Sequence, residues 1–376
     1  GSGGNPIADN NKDIKVTAGT GSMGMVALGN GTAGTATANN NSGAKITLAG
    51  TKNVGMHAEN GGTINNVSSI TGTGTTLIGM QIYDNKSEGK VYKIGITQIV
   101  THPSLDMVKE GFKKAFEEAG IKADFDETNA EGSIPNANLI ANKFKSDKKD
   151  LILGIATPSA QALANSISDI PILFSAVTDP VSAKILNKNV TGTSDKLDNV
   201  GEQLDLLIKL RPETKKIGVL YNPSEQNSLV QVKEIQEKAK ERNLAVELQG
   251  ITSFSEVAQA TKILLGKTDA LYLPTDNLVV SAVKLIVSEG ISAKKPVISS
   301  ERSSVDQGAL FTMGLNYFDL GKRTGEMAIE ILKGKPASEI PFETSKKTTL
   351  FLNEKTAQAI GIDIKNPVLE GAEIVK

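Results

Sequence analysis

Between residues 156 and 275 a short apolar run repeatedly stops at a polar residue beside a proline, at Ala156-Thr157-Pro158, Thr178-Asp179-Pro180, Tyr221-Asn222-Pro223 and Leu273-Pro274-Thr275. Proline cannot donate to a strand ladder and disfavours helix in the residue before it, so each junction marks a strand end that turns into a helix start. Runs such as Leu151-Ile152-Leu153-Gly154-Ile155 lack polar alternate positions, which implies strands buried on both faces. Strands of this kind alternating with helical segments form a parallel sheet covered by helices. Ligands bind such sheets beyond the carboxyl ends of the strands, which is where these junctions place their side chains.

The alternation starts at Val91. Strands are expected at 93–96, 123–126, 151–155 and 172–175, with helices at 104–119, 134–145 and 158–166. Leu105, Val108, Phe112 and Phe116 share one face of the first helix, and Gly120 stops it. After Asp195 the pattern restarts, with helices at 200–210, 228–242 and 255–265 and another beginning at Leu278. Its strands are expected at 217–220, 245–248, 270–273 and 296–298. A helix at 317–333 and a strand near 348–351 follow. Two successive series of about 100 residues each imply two similar lobes.

Residues 1–84 have a different texture, rich in Gly, Thr, Asn, Ala and Ser and without arginine. Gly24-Met25-Val26-Ala27, Gly55-Met56-His57-Ala58 and Gly79-Met80 form an internal repeat. Short alternating segments with glycine corners suit a β-solenoid, whose coils bury a thin core only by stacking. Units such as Val54-Gly55-Met56-His57-Ala58-Glu59-Asn60-Gly61-Gly62-Thr63-Ile64 resemble the passenger repeats of bacterial type V autotransporter adhesins, over residues 14–82. Open solenoid edges imply a neighbour or self-association. Residues 85–90 read as a polar linker, and Gly1-Ser2-Gly3-Gly4 as a linker or cloning scar, so an engineered fusion is the expected organisation.

Composition narrows the function classes. A formal net charge of -1 gives no electrostatic argument for nucleic acid or membrane surfaces. The absence of cysteine removes disulfides and thiolate chemistry, and two histidines, His57 and His102, leave little material for a metal cage. No apolar run reaches the roughly 20 residues that span a bilayer, and no signal peptide is recognisable, so the chain is either cytosolic or begins after processing. Glycine-rich nucleotide loops and a nucleophile elbow with a histidine partner are missing, so no catalytic residue and no cofactor is expected.

The succession Gly95-Ile96-Thr97-Gln98-Ile99-Val100-Thr101-His102-Pro103-Ser104-Leu105-Asp106, Ile155-Ala156-Thr157-Pro158-Ser159-Ala160-Gln161-Ala162, Ala176-Val177-Thr178-Asp179-Pro180-Val181 and Gly218-Val219-Leu220-Tyr221-Asn222-Pro223-Ser224-Glu225-Gln226-Asn227-Ser228 resembles ABC-transporter substrate-binding proteins of the tryptophan-binding type. Leu273-Pro274-Thr275-Asp276-Asn277 and Gly314-Leu315-Asn316-Tyr317-Phe318-Asp319-Leu320-Gly321 extend the match, which runs from Val91 to the C-terminus. The resemblance implies an α/β, bilobed type I periplasmic-binding-protein fold with two parallel-sheet lobes and hinge crossovers, preceded here by the solenoid-like segment. The expected lobes are 91–195 with 309–340 and 196–308 with 341–376. It further implies an extracytoplasmic protein, periplasmic or lipid-anchored, that captures an amino acid, usually aromatic, for a membrane permease. Sugar-responsive repressors share the bilobed core, but their N-terminal helix-turn-helix has no counterpart in residues 1–84.

An amino-acid zwitterion needs donors for its carboxylate and an acceptor for its ammonium. Helix starts after Thr157, Asp179 and Thr275 supply backbone N–H groups, and Asp276 is the expected ammonium acceptor, with Thr275 capping its helix instead. Asn222, Asn277 and Ser228 are candidates for the polar cage, Pro158, Tyr221 and Leu105 for the apolar walls, and Thr97 and Gln98 follow from the resemblance. Competing roles exist: Thr157 and Asp179 as helix caps and Asn222 with Glu225 as a capping box. His102 is expected at the rim, and Glu301 and Arg302 at the rim or in an interlobe salt bridge.

Overall fold

A computed structural model describes residues 90–345 and 348–376, and, ahead of them, the backbone of nine strands with the Ile46 and Met56 side chains. The chain divides into two compact units, Gly1–Val91 and Tyr92–Lys376.

The first unit contains β1 (Ile7–Asn10), β2 (Ile14–Val16), β3 (Met23–Leu28), β4 (Thr37–Asn40), β5 (Lys45–Thr51), β6 (Val54–Glu59), β7 (Thr63–Asn66), β8 (Ser69–Thr75) and β9 (Ile78–Tyr83). Every third strand joins one parallel sheet, giving β1-β4-β7, β2-β5-β8 and β3-β6-β9. The register lays Met25 on Met56 on Met80 and Ile14 on Ile46 on Ile70, so the repeat in the sequence is a repeat in space. Ile46 and Met56 are fully buried. Gly1 to Gly4 and the expected linker, apart from Lys90, lie outside the described residues.

In the second unit the first lobe begins with β10 (Tyr92–Gln98), α1 (Pro103–Glu118), β11 (Ala123–Asn129), α2 (Ile134–Ser146), β12 (Leu151–Ile155), α3 (Thr157–Ser166), β13 (Ile172–Ser175) and β14 (Val190–Ser194). The second lobe follows with α4 (Val200–Leu210), β15 (Lys216–Tyr221), α5 (Gln226–Lys240), β16 (Ala245–Gly250), α6 (Val257–Lys267), β17 (Ala270–Leu273), α7 (Asn277–Ser281), α8 (Val283–Ser292), β18 (Val297–Ser299), α9 (Arg302–Asp306) and β19 (Phe311–Gly314). The chain then crosses back through α10 (Tyr317–Leu332) and β20 (Glu343–Thr344), and ends in β21 (Thr349–Asn353), α11 (Glu354–Ala359) and β22 (Glu373–Val375).

The first lobe is a fully parallel sheet of order β11-β10-β12-β13-β14-β20. The second carries the parallel sheet β16-β15-β17-β18 and a smaller sheet β19-β21-β22. Alternate residues of β17 serve opposite faces of the second lobe, Ala270 and Tyr272 joining one core and Leu271 and Leu273 the other. The lobe limits differ from those expected. β19, within the 309–340 segment assigned to the first lobe, pairs antiparallel with β21, and β20 joins β14 in the first sheet. The crossings thus fall between Ser194 and Val200, between Gly314 and Tyr317, and between Thr344 and Thr349.

β14 is a strand that reads as a loop, Val-Thr-Gly-Thr-Ser, yet every residue in it is buried. Its Gly192 has φ +155°, and a Cβ there would stand 2.0 Å from the Phe174 carbonyl oxygen, so only glycine fits beside β13. Glycine also sets the approach of α1 and α10. A Cβ on Gly321 would meet the Val108 carbonyl oxygen at 2.0 Å, and one on Gly111 the Phe318 carbonyl oxygen at 2.0 Å. The two helices run side by side in the same direction, which brings Ser104 and Leu105 at one N-terminus near Tyr317 at the other.

Candidate ligand-binding site

The carboxyl ends of both sheets face each other across a narrow, nearly filled cavity. From the first lobe come Ser104 and Leu105 at the start of α1, Ala156, Ala176 and Thr178 after β12 and β13, Asp195 after β14, and Tyr317 at the start of α10. His102 enters from the loop before α1, and the second lobe adds Asn227, Thr275, Asp276, Asn277, Val280 and Glu301. Leu105, Val280 and Tyr317 give the cavity apolar walls, and most of its other side chains are polar.

On the first-lobe side the backbone is held in conformations that side chains resist. Ala156 has φ +71° and ψ 159°, and Ala176 has φ +55°. L-residues occupy such regions at a cost of about 1–3 kcal/mol, and such residues cluster at functional sites. Ala156 cannot cap α3 with a side chain, so the first backbone N–H groups of the helix lack a cap acceptor. Thr157 Oγ1 and Ser159 Oγ beside them are buried without a partner. Together they make a donor-rich end suited to an anion.

Asp195 provides the opposite polarity. Its Oδ1 accepts from Thr178 Oγ1 at 3.0 Å and its Oδ2 from the Tyr317 hydroxyl at 3.0 Å. Burial pushes its carboxyl above the ordinary range, against the pull of those hydrogen bonds. Burial likewise raises the Tyr317 phenol, with the Asp195 charge adding to it, so Tyr317 remains a donor.

On the second-lobe side Asp276 is fully buried and caps α7, its Oδ1 accepting from Val279 N–H at 2.9 Å. Its Oδ2 accepts from Ser228 Oγ at 2.6 Å and Asn222 N–H at 2.5 Å. Burial first, then the Glu225 charge, push Asp276 up to about 7. Glu225 reaches the same helix start, accepting from the N–H groups of Asn277 at 3.0 Å and Leu278 at 3.2 Å. Glu301 caps α9, accepting from Ser303 N–H at 2.8 Å and Ser304 N–H at 2.6 Å, and also takes a hydrogen bond from Ser104 of the first lobe.

Asp195, Glu225, Asp276 and Glu301 are all at least 95% buried. Among the described residues no lysine or arginine forms an ion pair with any of them. His102 lies closest in kind, but burial lowers its basicity and favours the neutral ring. Nor is any group of three or more His, Asp or Glu among the described residues arranged to hold a metal ion. Three of these acids, Asp195, Asp276 and Glu301, line the cavity without a paired cation, and a positively charged ligand group there would favour their ionised forms.

Of the residues expected at the site, Leu105, Thr275, Asp276 and Asn277 line the cavity. Thr157 and Pro158 are buried in α3 beside the lining Ala156. Thr157 is the first helical residue and not its cap. Ser228 and Asn222 stand behind the wall and serve Asp276. The expected division of labour at 275–276 is reversed: Asp276 caps α7, while Thr275 Oγ1 accepts from Gln231 at 2.9 Å. The Asn222–Glu225 capping box is absent, because the Glu225 carboxylate turns to α7 and not to α5.

Asp179 lies outside the cavity lining and accepts from Val181 N–H, Ser182 N–H and Ser182 Oγ. Burial opposes its ionisation, but the Ser182 hydrogen bonds hold its carboxyl below the ordinary range. Tyr221, at the end of β15, and Thr97 and Gln98, at the end of β10, also lie outside the lining. The Gln98 amide instead donates to Asp106 at 3.0 Å. His102 is a buried wall residue and not a rim one. Glu301 is buried and bonded to Ser104, with no salt bridge, while Arg302 pairs with Asp306 at 3.7 Å and stacks over Phe351.

The family model of the ABC transporter substrate binding protein matches residues 93–376. A tyrosine-binding protein from Clostridioides difficile (strain R20291) is 48% identical over 290 residues, covering 74% of this chain and 83% of that protein. The crystal structure of an ABC domain in complex with L-Trp from Streptococcus pneumoniae is 36% identical, with a TM-score of 0.72 over 76% of this chain and 100% of the other. The ligand-free, open structure of a Clostridium difficile substrate-binding protein with adhesive properties is 47% identical, with a TM-score of 0.57 over 76% of this chain and 99% of the other.

Proposed function

Since the chain belongs to the ABC transporter substrate-binding protein family, we propose that its ligand is an aromatic amino acid, tyrosine or tryptophan before phenylalanine, held between the lobes and passed to a membrane permease. The observation that carries this reading is the pairing of opposite receptors on one lobe. The uncapped start of α3, with Thr157 and Ser159, suits the ligand carboxylate. Asp195, braced by Thr178 and Tyr317, suits its ammonium through a charge-assisted hydrogen bond. The ring then lies among Leu105, Val280 and Tyr317.

Two relatives support the choice of ligand, one named for tyrosine and one solved with tryptophan. The less identical tryptophan complex superposes better than the more identical open structure, which supports a closed placement of the lobes here. A family of this kind works outside the cytoplasm, and no described helix is long and apolar enough to cross a membrane. For residues 1–84 we retain the passenger-type solenoid as a separate proposal, resting on the stacked Gly-Met register. Intact mass of the chain from its native source tests whether that segment is natural to it.

Calorimetric titration of tyrosine and tryptophan into the protein and into Asp195→Asn tests the ligand reading. Loss of one charge-assisted contact should weaken binding by about 1.5–3 kcal/mol. Equal affinity in the variant would remove Asp195 from the site.

A further inference from the structure

The hydrogen bonds behind the cavity wall fix which proton His102 carries. Glu225 accepts from the Asn277 side-chain amide, so that amide nitrogen is identified and Asn277 Oδ1 points to the other side. Oδ1 lies 3.4 Å from His102 Nε2. An amide oxygen only accepts, so Nε2 bears the proton and the neutral ring keeps a bare lone pair on Nδ1. Asn227 is oriented in the same manner. Its Nδ2 donates to the Thr275 carbonyl at 2.7 Å and to Glu225 Oε2 at 3.1 Å, which leaves Oδ1 as a free acceptor.

His102 Nδ1 and Asn227 Oδ1 are both buried and both without a partner, although buried polar atoms are nearly always satisfied. Both residues line the cavity, with exposures of 6% and 3%. They are therefore two unmet acceptors on a site whose ammonium and carboxylate receptors lie in the first lobe. A ligand anchored there directs its side chain toward the second lobe, from which Asn227 projects.

We infer that His102 Nδ1 and Asn227 Oδ1 form a side-chain subsite for a hydrogen-bond donor, the phenol O–H of tyrosine or the indole N–H of tryptophan, so that the site rejects phenylalanine. This inference rests on the aromatic amino acid reading above. Phenylalanine fills the same apolar walls but leaves both acceptors desolvated and unpaired. Sites built to hydrogen-bond a ligand hydroxyl discriminate strongly against analogues that lack it.

Titration calorimetry on the full chain with tyrosine, tryptophan, phenylalanine and 4-fluorophenylalanine tests the subsite. Tyrosine should bind at least about 100-fold more tightly than phenylalanine or its fluoro analogue, which has nearly the size of tyrosine and no donor. In His102→Ala the ratio of tyrosine to phenylalanine affinity should collapse by tenfold or more. Equal affinities for all four ligands, or a ratio unchanged in His102→Ala, would overturn the subsite while leaving the amino-acid site intact. Binding of none of the four would instead overturn the function on which the subsite rests. If His102→Ala does not fold, the wild-type ligand series alone decides.

Discussion

Ser104 Oγ, at the start of α1 in the first lobe, donates a hydrogen bond to Glu301 Oε2 in the second, and both side chains are buried. Separating the lobes breaks this bond and exposes an ionisable group whose other donors all come from its own lobe, at Ser303 and Ser304. The contact thus belongs to the closed arrangement, and it adds to whatever the ligand contributes to closure.

Replacing Ser104 by alanine should shift the lobes toward opening. A hydrogen bond to a charged group is worth about 1.5–3 kcal/mol, and Glu301 keeps its other donors, so roughly tenfold weaker amino-acid binding is expected. Stopped-flow measurement of ligand release should show most of the loss as faster dissociation. An unchanged release rate would mean that the bond does not hold the lobes together.

Gly321→Ala should damage the fold and the site together. Its Cβ has 2.0 Å to the Val108 carbonyl oxygen, so α10 must move away from α1, and overpacking of this kind costs typically 1–3 kcal/mol or more. Urea unfolding should report the stability loss, and binding should weaken because Tyr317 and Ser104 are placed by those two helices. Wild-type stability in the variant would show that the helices tolerate a wider spacing.

The pH dependence of stability should bear the mark of Asp276. Its carboxyl is raised from near 3.8 to about 7 by burial and by the Glu225 charge. A raised folded-state value means that the folded protein holds its proton more tightly than the unfolded chain. The associated stability is present in full below about pH 4 and is lost as pH rises through 7. Asp276→Asn keeps the side-chain shape and has no titration there, so its melting temperature should fall less between pH 4 and 7 than that of the wild type. Parallel curves for the two proteins would assign the slope to other groups.

The alternation of strand and helix was legible because apolar runs, helical faces and proline junctions all carry local signals. α4 fell where its pattern placed it, at Val200–Leu210. β14 was not legible, because its buried threonines and serine are satisfied by partners distant in sequence. Thr193 Oγ1 meets Thr324 Oγ1 at 2.7 Å, and Thr191 donates to the Ile340 carbonyl.

That omission hid Asp195, the residue that follows the strand. Three of the four proline junctions lead into helices, but no helix follows Asp179-Pro180, where the chain runs through a turn to β14, and Thr178 lines the cavity where Asp179 does not. At Asp276 the carboxylate next to a helix start became a cap with three donors of its own. The lobe contacts of Glu301 and His102 join residues 175 to 197 positions apart, a separation that no local pattern encodes.

Whether the cleft binds an amino acid is decided by thermal unfolding of the protein, first stripped of any retained ligand by unfolding and refolding, with each of the twenty amino acids in turn. At about 100 times its dissociation constant a ligand adds roughly 2.7 kcal/mol to stability. Tyrosine and tryptophan should raise the melting temperature most, and Asp195→Asn should lose much of that rise while melting normally without ligand. A melting temperature that no amino acid moves would contradict the account.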